Sequence, residues 1–293
     1  MAKIEYVAKR FSAASRLVIQ AANDIITEYA ANGYALTLRQ LYYQFVARDM
    51  LENSQRAYKR LGAIVSDARL AGMLDWDAIE DRTRSLSSWP SWESPRQILL
   101  DAATQFELDP WETQPVRVEV WVEKEALAGI FERACSKYRV PYFSCRGYAS
   151  QSSLWRAAER LRERRSRLGQ QTHILHFGDH DPSGIDMTRD IEDRLNTFDV
   201  HPWVNRVALN MLQISEYAPP PNPAKVTDSR AREYIREYGH ESWELDALEP
   251  SVLAELVHDE VENVINRAAW LESETRSAKG RSEIRKAALD MPV

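Results

Sequence analysis

Cysteine is scarce in this sequence: Cys135 and Cys145 are the only two among 293 residues, and neither lies in a metal-ligand spacing. That argues against a disulfide framework or a zinc module, and both thiols read as buried and reduced. Long apolar runs are missing as well. No stretch of 18 apolar residues occurs, and the amino terminus, Met-Ala-Lys-Ile-Glu-Tyr, has no signal-peptide core, so the expectation is a soluble, cytoplasmic protein with no membrane partner. Positive charge is not in excess: 38 Lys and Arg against 44 Asp and Glu leave a net charge of −6, which opposes a wholesale electrostatic grip on nucleic acid. There is no internal repeat, and low complexity is confined to the proline cluster at 218–223.

What is present is a 44% hydrophobic content, enough for one large core or two smaller ones. Charge is segregated along the chain. Residues 53–70 carry Arg56, Lys59, Arg60 and Arg69 against the single acid Asp67, while the carboxy-terminal third is rich in Asp and Glu. A local basic face is therefore available on an acidic protein.

Three helices are predicted first. Apolar positions recur at helical spacing over 5–31 and stop at Asn32-Gly33, a left-handed cap. Thr37 with Gln40 forms a capping box that opens a helix to about Arg48, and a third helix runs from 53 or 54 to about 72 with Ala57, Leu61, Ile64, Val65 and Ala68 on its apolar stripe. With short strand-like pieces over 73–79, these make a winged helix-turn-helix domain over 1–90. The Ser, Trp and Pro-rich stretch starting near 85, with a short amphipathic piece over 95–106, marks a junction, giving a linker at 91–115. From 116 to 293, strands at 116–123, 140–145, 172–178 and 203–209 alternate with helices at 125–138, 151–168 and 184–198. That alternation predicts an α/β domain with a parallel sheet. Helices near 228–238 and 250–271 close it, and a polar tail follows Ser273.

Two acidic motifs stand where strands end. Val116, Val118, Val120 and Val122 lead into Glu123, and Ile174, Leu175 and Phe177 lead through Gly178 to Asp179 and Asp181 before the tight turn Pro182-Ser183-Gly184. Open parallel sheets build their sites at the carboxyl ends of their strands. Three converging carboxylates with no Cys or clustered His among them favour Mg²⁺, with Mn²⁺ as an alternative, over Zn²⁺. Such ions serve mainly phosphoryl chemistry, so a phosphate ester is the expected substrate class.

A second motif is Arg39-Gln40-Leu41-Tyr42-Tyr43. At about 100° per residue, Leu38, Leu41, Tyr42, Phe45 and Val46 share one face, which makes Tyr42 a core residue and places Tyr43 off that stripe, four residues from Arg39 on the exposed face. A guanidinium beside a phenol favours the phenolate and steadies charge building on an attacked phosphate. Tyr43 is thus a chemically sensible nucleophile with Arg39 as its partner.

Together these motifs resemble a known family. Val122-Glu123-Lys124-Glu125-Ala126 and Gly178-Asp179-His180-Asp181-Pro182-Ser183-Gly184 look like the Toprim domain of the topoisomerase VI A subunit and its relatives, the meiotic double-strand-break transesterases. Arg39 to Tyr43 resembles the tyrosine motif of their winged-helix domain. Arg146-Gly147-Tyr148 is similar to their Lys-Gly-Tyr stretch, with Arg for Lys, and 243–248 to a Glu-containing segment near the carboxyl end. The likeness spans about 37–265. It implies a Toprim, Rossmann-like sheet behind the winged helix, a 5′-phosphotyrosyl link through Tyr43 assisted by Arg39, and Mg²⁺ bound by Glu123, Asp179 and Asp181. It also implies a homodimer in which the tyrosine of one subunit meets the metal of the other and both strands of a DNA duplex are cut.

The chain is shorter than a typical A subunit, carries no ATPase domain and shows no amino-terminal extension for docking one, so gated strand passage requires a separate ATPase partner. Arg56, Lys59 and Arg60 on the third helix, with Arg146, are the candidate DNA contacts, holding phosphates without reading sequence. Alternative readings are a Toprim nuclease that hydrolyses DNA with metal-activated water, and a non-catalytic DNA-binding factor. His173, His176 and His180 read as packing residues, and the Arg-rich run 160–167 as a solvated helix face. Lys124 and Glu125 are open to phosphate or second-metal contact, or to helix capping for Glu125. The tryptophans within 89–121 are expected at the domain junction or a dimer contact.

Overall fold

The computed structural model describes residues 3–31, 33, 35–80 and 89–291. Helix α1 (Ala13–Ala31) begins later than its apolar pattern suggests. Ser12 takes the capping role, its Oγ accepting from the Ser15 amide, while the backbone amides of Tyr6 and Val7 donate to the carbonyl of Leu70. The leading residues are therefore held as an extended strap rather than as helix. Gly33 adopts φ +74°, the left-handed conformation its cap position calls for; Asn32 lies outside the described residues, as do 81–88 of the predicted junction.

Helix α2 (Leu38–Ala47) carries the predicted capping box, with Thr37 and Gln40 satisfying each other's amides, and α3 (Gln55–Leu70) is capped by Ser54. Ile19, Ile25, Leu41, Phe45, Leu61 and Val65 of the three helices form one core. Residues 73–79 do not make strands. They contribute one parallel bridge, Leu36 to Ile79, because Gly72 takes φ +68° and the Asp77 amide turns back onto Asp75 Oδ1.

After α4 (Pro95–Gln105), strands β1 (Val116–Val122), β2 (Tyr142–Ser144), β3 (Gln171–Phe177) and β4 (Trp203–Ala208) form a parallel sheet in the order β2-β1-β3-β4. The crossovers are α5 (Ala128–Ser136), preceded by one tight turn at Glu125–Leu127, then α6 (Gln151–Leu168) and α7 (Pro182–Thr197). Alternation along β1 divides the two faces. Val118, Val120 and Val122 pack with Phe131, Leu253 and Val257, whereas Trp121 packs with Leu154, Ala158 and Ile191. This is an α/β fold with a parallel sheet flanked by helices, and no helix among the described residues is long and apolar enough to cross a membrane.

Glu119 lies on the Trp121 face and is buried. The guanidinium groups of Arg160 and Arg164 on α6 clamp it, Arg160 at 2.9 and 2.8 Å and Arg164 at 2.5 Å. The Arg-rich run is thus not simply a solvated face: two of its members neutralise a strand carboxylate.

Beyond the sheet come α8 (Met211–Tyr217), a two-stranded ladder of β5 (Asn222–Pro223) with β6 (Glu241–Ser242), α9 (Ala231–Tyr238) and α10 (Pro250–Glu262). The predicted polar tail is instead α11 (Arg267–Asp290), separated from α10 by Asn266, whose side chain caps the amides of Ala268 and Ala269. Helix α11 packs along α4, burying Ser273, Ser277 and Ala288, with Gly280 against the ring of Phe106. Small residues leave little apolar signal in the sequence, yet they allow this close approach. Trp111 and Trp121 are fully buried, Trp111 edge-on to Trp270, while Trp89 and Trp92 are exposed.

Candidate metal centre

The carboxyl ends of β1 and β3 deliver Glu123, Lys124 and Asp179 to one place, as open parallel sheets do. A third segment arrives from far along the chain. The His180 amide donates to the Trp243 carbonyl at 2.8 Å and the Trp243 amide returns to His180 at 2.9 Å, while the Leu245 amide donates to Asp179 Oδ1 at 2.8 Å. With Leu245 driven into the core, the residues on either side of it, Glu244 and Asp246, turn together toward Asp179. Asp179, Glu244 and Asp246 each offer an oxygen, all within 4.8 Å of one another. An all-carboxylate donor set of this kind fits a hard divalent cation.

Three buried or half-buried carboxylates need compensation. Lys124 Nζ lies among them, 2.9 Å from Asp179 Oδ1 and 2.8 Å from Asp246 Oδ1, and in contact with Glu244 Oε2. Arg39 approaches from α2, its Nε 2.7 Å from Asp246 Oδ2 and its Nη2 2.5 Å from Glu244 Oε2. Burial pushes the Asp179 carboxyl up to about 8, against the pull of Lys124 and with help from Glu123 and Asp246. Burial would raise Glu244 too, but Lys124 and Arg39 outweigh it and hold that carboxyl down at about 2. Burial alone would lower the Lys124 ammonium, and Asp246, Asp179 and Glu244 together raise it instead.

Of the expected ligands, Asp179 is central. Glu123 Oε2 accepts from the Asp179 amide at 2.8 Å, and burial raises its carboxyl with Asp181 adding to the effect. Asp181 caps α7, accepting from Gly184 N at 2.6 Å and Ser183 Oγ at 2.9 Å, with Lys225 at 3.7 Å. Glu244 and Asp246 were not named as ligands from the sequence. Their Glu-x-Asp pattern was visible inside 243–248, but it follows no strand of the main sheet.

Tyr43 is buried, 5% exposed, not on an open face. Helix α2 is covered on a second side by the turn at 245–247, and Ala247 joins the helical core. Arg39 Nη2 donates to the Tyr43 hydroxyl at 3.3 Å while holding Glu244. The phenol's pKa is nonetheless raised: burial, Asp246 and Glu244 outweigh Arg39 and Lys124. The predicted phenolate-favouring environment is therefore not that of this charge state. Tyr43 and the acidic cluster meet within one chain, through one guanidinium.

Tyr43, Arg39, Asn53, Ser54 and Asn222 line a cleft of about 310 Å³ at the amino-terminal end of α3. Arg56, Lys59 and Arg60 are exposed on the same helix. Arg146 is exposed as well but engaged, its guanidinium forked onto Glu125 at 2.8 and 3.0 Å.

Compared with known proteins, the chain matches no family model, no curated protein and no solved structure.

The remaining candidates are packing residues. His180 Nδ1 pairs with the Tyr234 hydroxyl at 2.8 Å amid Tyr238 and Trp243, His176 Nδ1 pairs with Thr188 at 2.8 Å, and His173 stacks on Trp203. Both cysteines are buried, their thiols pushed up to about 12 by burial.

Proposed function

We propose that this chain is a DNA-cleaving transesterase that uses a divalent cation, Mg²⁺ or Mn²⁺, in the manner of the topoisomerase VI A subunits it resembles, on a winged-helix domain joined to a Toprim domain. The observation that carries the reading is the continuity of Tyr43, Arg39 and the carboxylates of Glu244 and Asp246 in one hydrogen-bonded cluster, to which the Lys124 ammonium joins Asp179. A cation held there would neutralise charge on a non-bridging phosphate oxygen. Arg39 orients the Tyr43 hydroxyl toward the cleft and meets charge gathering on the phosphate. The phenolic oxygen bonds to phosphorus, the bond to the 3′-oxygen breaks, and the phenolic proton ends on that 3′-oxygen. The products are a 5′-phosphotyrosyl link and a free 3′-hydroxyl, and reversal reseals the strand. Arg56, Lys59 and Arg60 hold the flanking phosphates, and two chains, as a homodimer, serve the two strands. Strand passage belongs to an ATPase partner.

Hydrolysis by metal-activated water, with Tyr43 only positioning the strand, is the second reading, favoured by the burial and raised pKa of Tyr43. Supercoiled plasmid incubated with Mg²⁺ or Mn²⁺ and stopped with denaturing detergent separates the two. Protein attached to 5′ ends in wild type and absent in Tyr43→Phe is the expected result. Adduct-free cleavage that survives Tyr43→Phe establishes the hydrolase, and cleavage indifferent to Asp179→Ala removes both.

A further inference from the structure

Lys124 occupies an unusual place for a lysine. Its ammonium has three protons to donate, and the acceptors around it are oxygens of Asp179, Asp246 and Glu244, the same three carboxylates that make up the metal-fitting donor set. Its backbone is fixed on both sides: the preceding Glu123 amide donates to Phe177 in the sheet at 2.8 Å, and the Lys124 carbonyl accepts from the Leu127 amide at 3.1 Å. The side chain, 16% exposed, is thereby directed across the end of β1 into the cluster.

An ammonium and a divalent cation compete for the same lone pairs. Oxygen ligands approach a small divalent ion to about 2.0–2.1 Å, whereas they stand near 2.8 Å from an ammonium nitrogen, so the two cannot share one set of three carboxylates without close like-charge contact. The flexible four-carbon stem of lysine allows the charge to leave without moving the backbone. Arg39 differs: it shares Glu244 Oε2 with Lys124 but takes the other oxygen of Asp246, Oδ2, and its fork is tied to Tyr43 as well.

Resting on the metal-centre reading above, we propose that Lys124 is a positioning residue for that centre. Its ammonium stands in for the divalent cation in the metal-free protein, holds Asp179, Glu244 and Asp246 in ligating positions, and withdraws when the cation enters. Metal affinity is then set by an exchange of cations, and the acidic cluster stays folded before metal arrives.

The test uses the full chain and Mn²⁺ alone, with free Mn²⁺ followed by its electron paramagnetic resonance and unfolding followed by circular dichroism. Lys124→Met is expected to bind Mn²⁺ about tenfold or more tightly than wild type, since a unit charge competing at contact distance is gone. Its metal-free melting temperature falls, and Mn²⁺ raises it by more than in wild type. Lys124→Arg, which keeps the charge, shows no such gain. Equal affinity of wild type and Lys124→Met overturns the proposal while leaving the metal centre standing. No Mn²⁺ binding by any of the three removes the metal centre itself. Wild-type protein supplies an independent readout if Lys124→Met does not fold. Acetylation of Lys124 by acetic anhydride, mapped by mass spectrometry, is expected to be low without metal and to rise with Mn²⁺, and no rise overturns the exchange.

Discussion

Arg39 Nε lies 2.7 Å from Oδ2 of Asp246, 207 positions further along the chain. The Asp246 side chain is wholly buried, so this bond and the one from Lys124 supply charged partners to a carboxylate that water does not reach. The same guanidinium touches Tyr43 and Glu244. One side chain thus couples the helix bearing the tyrosine to the acids.

Arg39→Lys is predicted to fail as a conservative replacement. An ammonium cannot reproduce a planar fork that reaches three partners, so DNA cleavage is expected to fall about 10²-fold or more, the scale on which removal of a preorganised charge stabiliser acts. Quantifying covalent adduct per minute on a plasmid checks this; near wild-type rates in Arg39→Lys remove the positioning role.

Because Tyr43 and the acidic cluster meet within a single chain, inactive variants are predicted not to complement each other. Tyr43→Phe mixed with Asp246→Asn should give no more adduct than either alone. Restored adduct in the mixture would instead show that the tyrosine serves the partner's acids, as the family resemblance implies.

Glu119→Ala is predicted to destabilise the protein by about 3 kcal/mol, the lower end of the range for breaking a buried ion pair, since Arg160 and Arg164 are partly solvated and can turn outward. Urea unfolding measures it. Arg160→Ala should cost much less, because Arg164 stays on the carboxylate. Equal losses would mean that the clamp acts through one arginine only.

The burial of Glu249 at the start of α10, where it accepts a hydrogen bond from Tyr29 of α1, should make stability depend on pH. Burial, with Glu28 nearby, pushes the Glu249 carboxyl up from 4.5 to about 7. A carboxyl whose pKa is raised by folding contributes stability that is fully present below its unfolded pKa and is lost as pH rises through the folded one. Wild type is therefore expected to lose stability as pH rises from about 4.5 to about 7 relative to Glu249→Gln, which stays neutral. Parallel urea midpoints for the two proteins across that window would refute the assignment.

The alternation of β1, α5, β2, α6, β3, α7 and β4 was legible because each strand is a short segment rich in β-branched, aliphatic or aromatic residues and each helix carries its apolar stripe. Thr37, Gln40 and Ser54 announced the starts of α2 and α3 by local chemistry alone. Three features were not legible, each for a physical reason. Tyr43 lies off the stripe of α2, and only the distant turn at 245–247 buries it. Helix α11 buries serine and alanine against α4, which no apolar periodicity reveals. Glu244 and Asp246 join Asp179 through the bridge between His180 and Trp243, a pairing between segments some sixty residues apart.

The bridge between His180 and Trp243 also orders events during synthesis. A chain that has left the ribosome as far as Ser242 already contains Tyr43, Arg39, Lys124 and Asp179, but it lacks both acids that draw those cations together. Until residue 246 has emerged the acidic centre is not assembled, and a fragment ending earlier would carry Tyr43, Arg39 and Lys124 without the Glu244 and Asp246 carboxylates that hold them together.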